Sequence, residues 1–193
     1  MKKIVFVSAL AAFFFSGCLL TSFNPFYKPT DLVSDNLLLG EWMNKNSLLT
    51  FSQLEEGYLL NYKDCEDPAN APQNYSSCTM ADFTARLMKL GDSYYLDFYP
   101  RSYMNSDNLF LNFHVKPVHS LAKISISKDQ LEFRMLNYSW TMNYLEENND
   151  KLNHIKTEDL VTLTASTDAI QAYILKHQNE PGFFDEPIVV KRK

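Results

Sequence analysis

From Gly40 onward the chain breaks into short β-favouring runs in which apolar and polar side chains alternate, and this restricts the fold more than any other feature. Phe83, Ala85 and Leu87 oppose Asp82, Thr84 and Arg86, while Leu109, Leu111, Phe113 and Val115 oppose Asn112, His114 and Lys116. A strand turns successive side chains to opposite faces, so each such segment has one face to bury. Candidate strands are 47–52, 57–62, 79–90, 94–99, 109–116, 118–127, 130–136, 160–165 and 187–191. Leu90-Gly91-Asp92-Ser93-Tyr94 and Ser127-Lys128-Asp129-Gln130 read as hairpin turns, which makes sequential antiparallel pairing the natural arrangement.

Two helices interrupt this pattern. Trp140, Tyr144 and Leu145 share a helical face within about 139–149, and Ile170, Tyr173, Ile174 and His177 recur at i, i+3, i+4 and i+7. Thr167 or Asp168 is the expected cap of the second helix, and Glu180-Pro181-Gly182 stops the helix beyond its last turn. About nine short strands with few helices predict a sandwich or an up-and-down barrel.

The N-terminus is of a different kind. Met1-Lys2-Lys3 precedes a twelve-residue apolar run, Ile4 to Phe15, and then Ser16-Gly17-Cys18. The run has the length of a secretory core and falls short of the roughly 20 residues that span a bilayer. The arrangement resembles a bacterial lipoprotein signal, which implies cleavage before Cys18 and acylation of that cysteine. Residues 1–17 are then a signal peptide, 18–38 a lipidated tether and 39–193 the folded domain. Leu19 and Leu20 are not the aspartate that resembles an inner-membrane retention signal, so the expected address is the outer membrane, facing the periplasm.

A chain of 193 residues less a 17-residue leader leaves 176, the size of one domain. Its 16 basic and 23 acidic side chains give a formal charge of −7, which argues against nucleic acid as a partner. With Cys18 acylated, Cys65 and Cys78 remain as a pair in a compartment that permits disulfides. Their spacing is neither C-x-x-C nor a metal pattern, so a structural bridge is expected over a redox site.

Gly40-Glu41-Trp42 resembles the Gly-x-Trp entry of lipocalin-like (calycin) barrels. That resemblance implies an antiparallel up-and-down barrel whose tryptophan closes the floor, with a late arginine, here Arg192, packed over it. The chain is also similar to a group of uncharacterised bacterial envelope proteins with small lipocalin-like domains. Beyond Gly40-Glu41-Trp42, that similarity rests on Ala85-Arg86-Leu87, on Leu90-Gly91-Asp92-Ser93-Tyr94-Tyr95-Leu96-Asp97 and on the stretch from Val161 to Gln171. The implied fold is mainly β, a lipocalin-like barrel with two short helices late in the chain.

Chemistry-bearing residues are sparse. His114 and His119 are near one another in sequence without a third ligand, so no metal is expected. Asp97 alternates with Tyr95 and Tyr99 and is expected to face outward or to lie at the barrel rim. His177 completes a helix stripe and is expected to be structural or solvated. No nucleophile elbow, phosphate loop or H-E-x-x-H signature occurs, so neither enzymatic activity nor a cofactor is expected. The aromatic central strands leave two readings open, a filled core or a cavity for an apolar ligand lined by Tyr94, Phe98, Phe113 and Phe133. The expected function is a lipid-anchored, non-catalytic binding module for an apolar small molecule or an envelope protein. The alternative is a structural lipoprotein that supports an assembly.

Overall fold

The structure, a computed structural model, describes residues 19–65, 78–101, 115–148, 152–157 and 160–193. Eight antiparallel strands close into an up-and-down barrel: β2 (Gly40–Met43), β3 (Ser47–Gln53), β4 (Tyr58–Cys65), β5 (Cys78–Leu90), β6 (Ser93–Pro100), β7 (His119–Ile126), β8 (Gln130–Met135) and β11 (Ile188–Arg192). Each strand pairs with the next, β6 joins β7, and β11 pairs with both β8 and β2 to complete the circle. Gly40-Glu41-Trp42 therefore belongs to a barrel strand rather than preceding the first one.

Between β8 and β11 the chain leaves the barrel to form α1 (Tyr138–Asn148), β9 (His154–Lys156), β10 (Val161–Leu163) and α2 (Thr167–His177). The cap of α2 is Ser166, whose Oγ accepts from the Ala169 N–H at 3.3 Å, one residue before the expected Thr167. Asp168 keeps its place in the first turn, at the positive end of the helix dipole. Both expected hairpins form, with Leu90 opposite Ser93 around Gly91, which takes φ +60°, and Ile126 opposite Leu131. The expected strand at 109–116 lies largely outside the described residues, and its described end, Val115 and Lys116, is not in a strand.

Two apolar cores result from this arrangement. Inside the barrel, Trp42, Phe51, Tyr58, Leu60, Leu87, Leu96, Leu131 and Phe133 pack together. Outside it, Met88, Leu90, Tyr95 and Leu121 on the outer faces of β5, β6 and β7 meet Leu20, Phe26, Val161, Ile170, Ile174 and Phe183. The strands under this second layer are buried on both faces, which is why β6 reads Tyr94-Tyr95-Leu96 instead of alternating cleanly.

The segment expected to be a tether is part of the second layer. Leu20 is 1 % exposed, and Thr21–Ser22 forms β1, antiparallel to β7 and parallel to β10. Phe26 is fully buried, and Gln171 Nε2 donates to its carbonyl at 2.8 Å and to Asp31 Oδ2 at 2.7 Å. Lys28 pairs with Asp168 of α2. Residues 20–38 therefore form a strap across the barrel. Burying Leu20, Phe26 and Leu38 stabilises it by about 1.5–3 kcal/mol per side chain, more than an extended tether in water gains.

Candidate functional site

The barrel interior is where a small ligand would bind, and buried side chains pack its described centre. Trp42, Phe51, Tyr58, Leu87 and Leu96 are each at most 2 % exposed. Phe51 and Tyr58 meet edge to face with centroids 6.5 Å apart. Of the four expected lining residues, Phe133 is buried inside and Phe98 packs beside Phe83 at 6.4 Å. Tyr94, the second residue of β6, is instead 43 % exposed, and Phe113 lies outside the described residues. Two depressions open to solvent, one on the outside lined by Lys123, Arg134, Gln178 and Phe184, the other at the β6–β7 edge lined by Asp35, Asp92, Tyr94, Ile124 and Ile126.

One end of the barrel is closed by Trp42 and Arg192. The guanidinium carbon is 4.0 Å from the indole centroid, and the indole N–H donates to the Leu38 carbonyl at 2.8 Å. Arg192 also donates to the carbonyls of Leu37 at 2.6 Å, Leu39 at 3.0 Å and Lys128 at 2.7 Å. The Gly-x-Trp spacing has a local cause. Gly40 takes φ +113°, and a Cβ there would lie 3.0 Å from Arg192 Nη1, so a side chain at position 40 would be strained and would press on the guanidinium.

Under the strap, β6 and β7 bring Asp97 and His119 together. Asp97 faces outward with Tyr95, on the expected face, yet it is 1 % exposed because the strap covers that face. Its Oδ1 is 2.7 Å from His119 Nδ1, and its Oδ2 accepts from the Phe26 N–H at 2.9 Å. The Tyr99 ring lies tilted against the imidazole, centroids 4.5 Å apart, and Ser22 lies opposite His119 across the β1–β7 pairing. An imidazole oriented by a carboxylate, with a serine nearby, has the membership of a hydrolytic triad. Ser22 is fully buried, however, and its Oγ accepts from the Asn24 N–H at 3.1 Å. The cluster as built holds the strap to the barrel. The apolar residues Phe26 and Tyr27 in the supposed tether were the sequence signal that this face would be covered.

A second buried histidine is found between the two helices. His177 is 1 % exposed, with Nδ1 2.6 Å from Glu180 Oε1 and ring centroids of Tyr144, Tyr173, Trp140 and Phe183 at 4.4–6.0 Å. Its Nε2 is enclosed by this aromatic packing and has no hydrogen-bond partner among the described residues. Nearby, burial pushes the Tyr95 hydroxyl up to about 12, and the hydroxyl donates to Gln178 Oε1 at 2.8 Å. Among the described residues, no three His, Cys, Asp or Glu side chains gather as a metal site.

Cys65 and Cys78 face each other across β4 and β5 and form a disulfide, their Cα atoms 4.1 Å apart. Cys18 lies outside the described residues, and no helix among them is long and apolar enough to cross a membrane. The fold defines a closed eight-stranded antiparallel barrel with a strap and two covering helices. Compared with known proteins, the chain matches no family model, no curated protein and no solved structure.

Proposed function

We propose that this chain is a lipid-anchored protein of the bacterial cell envelope whose barrel is a non-catalytic interaction module, binding a partner protein on its outer surface. The observation that carries this reading is the occupied interior. Trp42, Phe51, Tyr58, Leu87 and Leu96 take up the space in which a barrel of this size would hold a small ligand. Enclosure of the Asp97–His119 pair and of Ser22 supports a structural role for that cluster.

The address rests on Met1-Lys2-Lys3, the apolar run and Ser16-Gly17-Cys18, and the Cys65–Cys78 bridge suits an oxidising compartment. The eight-stranded meander and the Arg192–Trp42 contact support the kinship with lipocalin-like barrels suggested by the sequence. Acylated Cys18 would anchor the chain, with the outer membrane as its location and the periplasm as its working side.

Mass spectrometry of the mature N-terminus tests the anchor, with a diacylated or triacylated Cys18 expected. Native mass spectrometry of the purified protein tests the interaction reading. The expected result is the mass of the chain with its N-terminal lipid and no further small molecule, and a retained apolar ligand would overturn it. Crosslinking in cells should join the barrel to another envelope protein.

A further inference from the structure

We propose that the domain docks directly on the membrane that carries its anchor, with Leu160, Ile155 and Phe23 in contact with lipid. This rests on the acylation of Cys18 proposed above and adds an orientation to it. Leu20 is 1 % exposed in the outer core, and Thr21–Ser22 is held by strands on both edges. Two residues of chain span at most about 7 Å, so an acylated Cys18 would leave β1 beside the lipid headgroups.

The register of β1 identifies what else is at that edge. Thr21 is level with Thr162 of parallel β10, and extending this register back two residues sets Leu19 beside Leu160. Leu160 is 53 % exposed. Thr162 is paired in turn with Ile155 of β9, also 53 % exposed. The Thr21 and Thr162 hydroxyls meet at 2.9 Å, so Thr21, Thr162 and Ile155 share one face of the ribbon. Leu20, Val161 and Leu163 fill the outer core from its other face. Phe23, two residues beyond Thr21 and 47 % exposed, continues the outward row.

Three large exposed apolar side chains thus border the point at which the anchor would leave the fold. Membrane is the occupant that the chain length specifies, because an acyl group two residues from Leu20 keeps the ribbon within reach of the interface at all times. Side chains docked in this way enter roughly 5–10 Å into the headgroup and acyl boundary.

The test uses the full-length acylated protein in zwitterionic phosphatidylcholine vesicles. An environment-sensitive fluorophore is placed at Leu160→Cys, at Ile155→Cys or, as the control, at Met80→Cys, an exposed position on β5 outside the β1–β10–β9 ribbon, with Cys65–Cys78 intact. Flotation with the vesicles reports the anchor, and quenching by lipids carrying a nitroxide on the acyl chain reports docking. Docking predicts about a twofold loss of emission at 160 and 155, with little loss at 80. A flexible ten-residue insert between Cys18 and Leu19 should preserve flotation while weakening the quenching. A protein that floats but is quenched no more at 160 and 155 than at 80 overturns the docking and leaves the anchor standing. One that does not float overturns both.

Discussion

Arg192 places its guanidinium 4.0 Å from the centre of the Trp42 indole while donating hydrogen bonds to three backbone carbonyls from two separate turns. One side chain from the last strand thereby joins the first barrel strand, the 3-10 turn before it and the β7–β8 hairpin. Arg192→Ala should lower stability by about 2–4 kcal/mol, combining the cation–π contact with charge-assisted hydrogen bonds. Urea unfolding would measure this, and Arg192→Lys should recover only a minor part because an ammonium cannot reproduce the planar fork. Gly40→Ala should cost about 1–3 kcal/mol at the same place, through its positive φ and the crowding of Nη1.

The buried Asp97 carboxylate is matched to His119 and to the Phe26 N–H. Removing the imidazole leaves a buried carboxylate with half its support. His119→Ala is therefore expected to destabilise the protein by about 3–5 kcal/mol. The readout that separates a clamp from ordinary packing is hydrogen exchange, in which the Phe26 amide should lose protection before the amides of β3 and β4 do. Equal loss throughout the barrel would speak against a local clamp.

Tyr95 supplies a pH signature. Its hydroxyl is raised from an ordinary 10.0 to about 12 by burial, so between those values the unfolded chain releases a proton that the folded chain keeps. The unfolded state then binds fewer protons, and stability falls as pH rises from 10.0 towards 12. Tyr27, Tyr58 and Tyr62 are raised as well, also by burial, and add to the slope. Tyr95→Phe should flatten the alkaline decline by one proton's share, measured as the change in slope of unfolding free energy against pH.

The Cys65–Cys78 bridge closes a connection with a sequence separation of 13 between two paired strands. Replacing both cysteines with serine should cost about 3 kcal/mol in the chain-entropy account, seen as a lower urea midpoint. A thiol assay of the unreduced, denatured protein should find neither Cys65 nor Cys78 free.

The period-two pattern of Phe83, Ala85 and Leu87, together with the Gly91-Asp92 turn, was enough to specify strands with one inward face and their sequential pairing, because strand geometry and turn chemistry are local. The helix stripe through Ile170, Tyr173, Ile174 and His177 was legible for the same reason, as was the pairing of Cys65 with Cys78. Gly40, Trp42 and Arg192 could be singled out by resemblance, though only the closed sheet brings residues 42 and 192 together. Local pattern does not say what covers the outside of a strand. Asp97 could be assigned its face from alternation, but its burial depended on Phe26, 71 residues away in the chain. Leu20 and Phe26 read as parts of a tether because β1 has two residues, too few for any periodicity. Whether the barrel was hollow was likewise a matter of side-chain volumes meeting from eight strands at once. Sequence determined both late helices and the strands from β3 to β8 with β10 and β11, in their order, through propensities that each segment carries alone, and it missed β1, β2 and β9. Tertiary structure alone decided the strap, the enclosed Asp97–His119 pair and the filled interior, since each depends on contacts between distant segments that exist only once the sheet has closed.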